Sequence, residues 1–185
     1  MNLKVLKRSR RIRAGDIFVY QLIQEPDCYR FGRVICTDAN AMTAGPDKDV
    51  LIYLYRASAS AKENIPVLDP HELLVDPLMT NRRPWTMGYF ENVAHRDLQP
   101  GDTLAQHCFA DGFRQKIFDE KGEELTNPKP PFYVRRLTSF MGINRRISDE
   151  LGYPVDETAY QDRDWNSRDT RIPGTQYLIR RRFLS

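Results

Sequence analysis

The chain has little of what thiol, metal or phosphate chemistry needs. Its 185 residues contain three cysteines, Cys28, Cys36 and Cys108, with no C-x-x-C spacing, and an odd number cannot all pair within one chain. This excludes a disulfide framework and predicts reduced thiols, used as small apolar side chains in a cytoplasmic setting. The three histidines, His71, His95 and His107, lack the close couples of a structural zinc site. The ten glycines form neither GxGxxG nor GxxxxGK[ST], and no nucleophile elbow is present. No apolar run approaches the roughly 20 residues that span a bilayer, so no membrane association is expected. No apolar h-region or small-residue cleavage site follows the basic N-terminus, so no secretory signal is expected either. Together these absences predict no metal, no cofactor and no enzyme.

What is present is an ordinary globular composition, 41% hydrophobic and 29% charged. The length suits a single domain over 1–185. Within it, 1–13 is a basic segment, 14–152 a β-rich body, and 153–185 a loop plus a C-terminal strand. The formal charge of +3 is unevenly spread. Nine of the 28 Lys and Arg lie in 1–13 and at 180–182, which leaves 19 against 25 acids and a balance of −6 elsewhere. Basic ends read first as solvated termini and second as a nucleic-acid arm.

Arg13-Ala14-Gly15-Asp16 supplies an entry turn to Ile17–Leu22, a β-branched and aromatic run. Glu25-Pro26-Asp27 breaks the pattern, and Tyr29–Thr37 returns as a second strand. Val50–Tyr55 is nearly all apolar and reads as a strand buried on both faces. These three predict a meander curled toward a small barrel.

Asp69-Pro70-His71-Glu72 has the marks of a helix start, with Leu73, Leu74 and Leu78 facing the core and Pro77 keeping it short. Trp85–Phe90 is expected to open a second group of strands. Ile117–Leu125 reads as a hairpin tip with Gly122 at positive φ. Phe132–Val134 is strand-like. Ile143–Leu151 is the second helix, capped by Gly152. Thr175–Arg180 is expected to close the sheet. The fold class is thus α+β, mainly β: a curled antiparallel sheet or an SH3-like partial barrel with two short helices.

Few residues suggest chemistry. His95-Arg96-Asp97 and His107-Cys108 have the makings of zinc ligands or of a general base with a carboxylate orienter. Neighbours in a strand point to opposite faces, which argues against the second. Asp111 with Asp119-Glu120-Lys121 is compatible with a metal-dependent nuclease, yet Asp-Glu-Lys-Gly is equally a hairpin turn. Trp85, Tyr89, Phe90, Phe109, Phe113 and Phe118, interleaved with Arg82, Arg83, Arg96 and Arg114, suit either a core or a nucleic-acid surface.

Four phrases together resemble one family. They are Gly15-Asp16-Ile17-Phe18, Tyr29-Arg30-Phe31-Gly32-Arg33-Val34, the strand around Ile52, and Trp85 followed by Gly88. In their order and spacing the chain is similar to the immunity protein 26 family of bacterial polymorphic toxin systems, over roughly the first half to two-thirds of its length. The resemblance implies a mainly β fold, no catalytic residues, and a cognate toxin as the partner. It casts Gly15, Asp16, Phe18, Phe31, Gly32, Arg33, Trp85 and Gly88 as scaffold. A basic toxin face would then meet Asp111, Asp119, Glu120, Glu123 and Glu124. Two other readings stand beside it: a nucleic-acid-binding module using the basic termini, and a nuclease at Asp111, Asp119 and Lys121.

Overall fold

The computed structural model describes residues 1–41 and 48–155. Its centre is a five-stranded antiparallel sheet in the order β4-β3-β2-β1-β5. The strands are β1 (Asp16–Tyr20), β2 (Tyr29–Ala39), β3 (Asp49–Ala59), β4 (Leu73–Thr80) and β5 (Glu91–His95). The sheet does not close, because β4 and β5 are its two edges. The fold is therefore α+β, mainly β, in its curled-sheet rather than its barrel form. A smaller sheet, β7-β6-β8, is built from β6 (Phe109–Asp111), β7 (Lys116–Phe118) and β8 (Tyr133–Val134). Two helices, α1 (Arg83–Thr86) and α2 (Phe140–Leu151), complete the described part. The expected strand over Thr175–Arg180 lies outside the described residues, as does most of the loop before it.

The meander β1-β2-β3 forms as its sequence predicts. Glu25 closes the β1–β2 connection, its two carboxylate oxygens accepting from Arg30 Nε at 2.6 Å and Nη2 at 2.7 Å. The period-two alternation of β3 divides its side chains between two cores. Val50, Ile52 and Leu54 join Phe18, Tyr20, Trp85, Phe90, Ile143 and Ile147 on one side. Leu51, Tyr53 and Tyr55 meet Phe109 and Tyr133 of the small sheet on the other. The large sheet is thus the middle layer, covered by α2 on one face and by the small sheet on the other.

Two expectations are corrected. Leu73–Thr80 is a strand and not a helix. The capping chemistry ahead of it is present, since Asp69 Oδ1 accepts from His71 N at 2.8 Å and Glu72 N donates to Asp69 O at 3.0 Å. It makes one turn and stops. The open side of β3 then recruits the segment, pairing Ile52 with Leu78 and Leu54 with Val75. Pro77 is accommodated because β4 is an edge strand. Likewise Trp85–Phe90 is no strand. Pro84 starts the short α1, Gly88 turns the chain at φ 86°, and pairing begins only at Glu91.

The second helix forms where expected. Ser139 caps it by accepting from Gly142 N at 3.2 Å, and Gly152 ends it in the left-handed region at φ 72°. The basic N-terminus is not a solvated tail. Leu3 and Ile12 are buried in the core, and Lys4, Leu6 and Ser9 donate backbone bonds to Gln21, Gly88 and Trp85. Asn144 Oδ1 accepts from both Asn2 N (2.8 Å) and Leu3 N (2.9 Å), which ties this segment to α2. Lys4, Lys7, Arg8, Arg10, Arg11 and Arg13 are exposed along it, so the first basic stretch is a fixed cationic edge of the fold.

Candidate functional site

The residues of the four family-like phrases converge. Phe18 stacks on Phe90 at 4.5 Å between ring centroids and meets Trp85 edge-on at 5.1 Å. Phe31 is buried in a neighbouring cluster with Ile17 and Val19. Gly15 sits at φ 88°, and a side chain there would collide with the Arg96 carbonyl. Arg33 is buried; its Nη2 donates to Arg96 O at 3.1 Å and pairs with Asp102 Oδ2 at 3.1 Å. The phrases therefore hold the 96–102 loop against the start of β1 and set up what lies beside it.

There, Asp16 on β1 pairs with His95 on β5. Asp16 Oδ1 accepts from His95 Nδ1 at 2.7 Å, while Oδ2 accepts from Arg13 N at 2.9 Å and Asn92 Nδ2 at 3.0 Å. On the far side of the ring, Nε2 lies 3.1 Å from Asp97 Oδ1. A carboxylate oxygen only accepts, so both contacts are hydrogen bonds at once only in the doubly protonated ring. Arg11, Arg13, Asp16, Asn92, Ala94 and His95 line an open hollow of about 390 Å³. The carboxylate orienter of His95 is therefore Asp16, 79 positions away, as well as the neighbouring Asp97. Asn92 is the unforeseen part. It accepts from Trp85 Nε1 at 2.8 Å, donates to Arg11 O at 3.1 Å and to Asp16, and its backbone N–H donates to Ser9 Oγ at 3.0 Å. A lone Asn carries no sequence signal for such a junction.

A second histidine lies in the interface between the sheets. Tyr53 Oη is 2.5 Å from His107 Nε2, and His107 Nδ1 is 3.0 Å from Glu120 Oε2. Leu104 N donates to the same hydroxyl at 3.1 Å. Tyr53 O–H donating to Nε2 and Nδ1–H donating to Glu120 make a consistent chain. The hydrogen bond from His107 holds the Glu120 carboxyl below its ordinary range, against the opposing effect of burial. Burial pushes the Tyr53 hydroxyl far up. The tyrosine is fully buried, and this chain fastens the Glu120 turn to β3.

The expected acidic surface divides. Asp111 is not on it: its side chain is 2% exposed. Its Oδ1 accepts from Phe113 N (2.9 Å) and Arg114 N (3.0 Å), and its Oδ2 faces Arg135 Nη1 and Arg114 Nε at 3.8 Å. Arg135 is itself buried, donates to Asn40 O at 3.1 Å and lies 4.2 Å from the Phe118 ring centroid. As a surface contact, Asp111 is thus corrected to a buried turn former. Asp119 and Glu120 are half-buried, and Glu123 and Glu124 are exposed. Asp119 Oδ1 accepts from Lys121 N at 2.9 Å and Glu123 N at 2.8 Å, and Gly122 takes the expected positive φ of 87°. Lys121 pairs with Asp38 and Lys116 with Glu124. Asp111 and Asp119 thus each fix a turn of their own, and the Lys121 ammonium goes to Asp38. Of the aromatic residues that suited either a core or a surface, Phe113 is the bare one: it is 96% exposed at the β6–β7 turn, while Trp85, Phe90, Phe109 and Phe118 are buried.

Among the described residues no group of three or more His, Cys, Asp or Glu is placed to hold a metal ion. Among them, too, no helix is long and apolar enough to cross a membrane. Set against family models, curated proteins and solved structures, the chain gives no match.

Proposed function

We propose that the chain is an immunity-type protein that binds a cognate bacterial toxin in the cytoplasm and neutralises it through protein–protein contact. One observation carries the reading: the small sheet displays a rigid, bare aromatic tip. Phe113 projects from a turn whose backbone is fixed by the buried Asp111, with Gln115 N donating to Asp111 O at 2.8 Å. A large apolar side chain held in water costs solvation, and in a complex a preorganised aromatic anchor recovers that cost with little loss of entropy. The other end of β7 carries the acidic turn Asp119–Glu124, likewise pinned by Asp119 and by the His107–Glu120 bond. Anchor and charge together suit a partner with an apolar pocket beside a basic surface, and the charge adds speed to the encounter. The resemblance to immunity protein 26 supports the same class.

The test is co-expression with a toxic protein encoded by a gene next to the one for this chain. Protection of the host cell is the expected outcome. Continued killing, with both proteins folded and present, overturns the reading.

A further inference from the structure

The hollow beside Asp16 has no part in the surface described above. It lies where the docked N-terminal segment passes the end of β5, and its walls are cationic on one side. Arg11 and Arg13 are exposed there, and no described residue bonds the Arg11 guanidinium. The Arg13 guanidinium has only a 3.7 Å approach to Asp16 Oδ1. Neither arginine stands on a loose tail. Ile12 between them is buried, Arg13 N donates to Asp16, and Arg11 O accepts from Asn92. The Asp16 carboxylate faces the hollow, but all its bonds are committed to Arg13 N, Asn92 and His95. It therefore orients the imidazole and leaves Nε2 as the reactive edge.

Nε2 already meets an anion. Asp97, whose side chain is 88% exposed, reaches back to it at 3.1 Å. An exposed carboxylate bonded at one point is readily displaced. We propose that this hollow binds a phosphate group, held by the guanidinium groups of Arg11 and Arg13 and by His95 Nε2, the nitrogen that Asp97 engages when no ligand is present. A tetrahedral oxyanion offers enough acceptor oxygens for two forked guanidinium donors and one imidazole N–H at once. A hollow of about 390 Å³ accommodates more than the phosphate alone. The phosphate belongs either to a small phosphomonoester or to the diester backbone of a nucleic acid, and the two share this chemistry.

The experiment titrates the full chain with inorganic phosphate, a nucleoside monophosphate, and a short single-stranded oligonucleotide without terminal phosphates. The imidazole signals of His95 are followed by NMR, assigned by their loss in His95→Gln, and affinities are measured by calorimetry. Arg11→Ala and Arg13→Ala should each weaken binding about tenfold, the loss of one charge-assisted contact. Asp97→Ala should strengthen it several-fold, because the internal competitor is gone. Both arginines and Asp97 are exposed, so the backbone spectrum should be unchanged. Binding of the monophosphate alone assigns a small ligand; binding of the oligonucleotide assigns a backbone. The proposal is overturned if none of the three probes moves the His95 signals, or if the Arg11 and Arg13 variants bind as tightly as the parent. These results leave the toxin-binding reading untouched, since the two surfaces share no residue.

Discussion

The ring of Phe18 fills the space that any side chain at position 32 would need. The two residues are cross-strand partners in the β1–β2 register, and a Cβ on Gly32 would lie 2.5 Å from Phe18 Cε2. Gly32 has no positive φ, so the requirement is steric. Gly32→Ala should destabilise the fold by about 1–3 kcal/mol, the usual cost of overpacking, as measured by urea denaturation. Adding Phe18→Leu should recover part of that loss, so that the double variant costs less than the two singles together. Strict additivity would show that the ring has room to move.

Glu120 gives the fold a sensitivity to acid. Its carboxyl titrates below the ordinary value in the folded protein, first because of the hydrogen bond from His107. A depressed acid stabilises the fold above its unfolded pKa, and that contribution disappears as pH falls through the folded value. Glu120→Gln should therefore cost about 1–2 kcal/mol near neutrality, the worth of a charge-assisted hydrogen bond. The difference from the parent should shrink below the usual carboxylate range. Denaturation midpoints across an acid pH series measure this; a constant gap would mean that Glu120 is not the titrating group.

Asp111 and Phe113 should separate stability from binding. Asp111→Ala leaves the buried Arg135 without its nearest carboxylate, and should destabilise by about 2–4 kcal/mol. Phe113→Ser touches an exposed tip and should shift stability by no more than about 0.5 kcal/mol. In a binding assay with the toxin, Phe113→Ser should weaken the complex at least about tenfold, as expected of an aromatic anchor. Glu123→Lys and Glu124→Lys should chiefly slow association, and more so at low salt. An unaltered complex with Phe113→Ser would place the interface elsewhere.

Cys36 and Cys108 should be inert in the native state. Burial pushes Cys36 up to about 11, and raises Cys108 as well. Since the thiolate is the reactive form, a disulfide reagent at mildly alkaline pH should modify both only on unfolding. Rapid native labelling of Cys36 would contradict its placement between the sheets.

Local pattern was enough wherever a segment's own preference agreed with its neighbours. β3 shows this, because its apolar residues on both faces announce two cores. So does α2, where Ile143 and Ile147 share a face that Gly152 terminates. It failed at Leu73–Thr80, where the capping residues were read correctly but an open strand edge outweighed them. The candidate site was harder still. Gly15, Asp16 and Arg33 were visible as parts of two family-like phrases, yet their work is to hold Arg96 and His95, about 80 positions away in the case of Asp16. No periodicity links a turn to so distant a partner. Phe113 stood in an aromatic group left open between core and surface, because sequence alone does not tell an exposed anchor from a core ring.

The bonds from Asn144 to Asn2 and Leu3 also set an order of events. They join residues 142 and 141 positions apart. During synthesis the first segment leaves the ribosome long before its partner helix exists, and the long loop between them must close before it can dock. Asn2 and Leu3 are therefore anchored only when α2 has emerged, whereas the hollow that Arg11 and Arg13 line needs only Asp16 and Asn92. Two residues made well before α2 take their final bonds only after it.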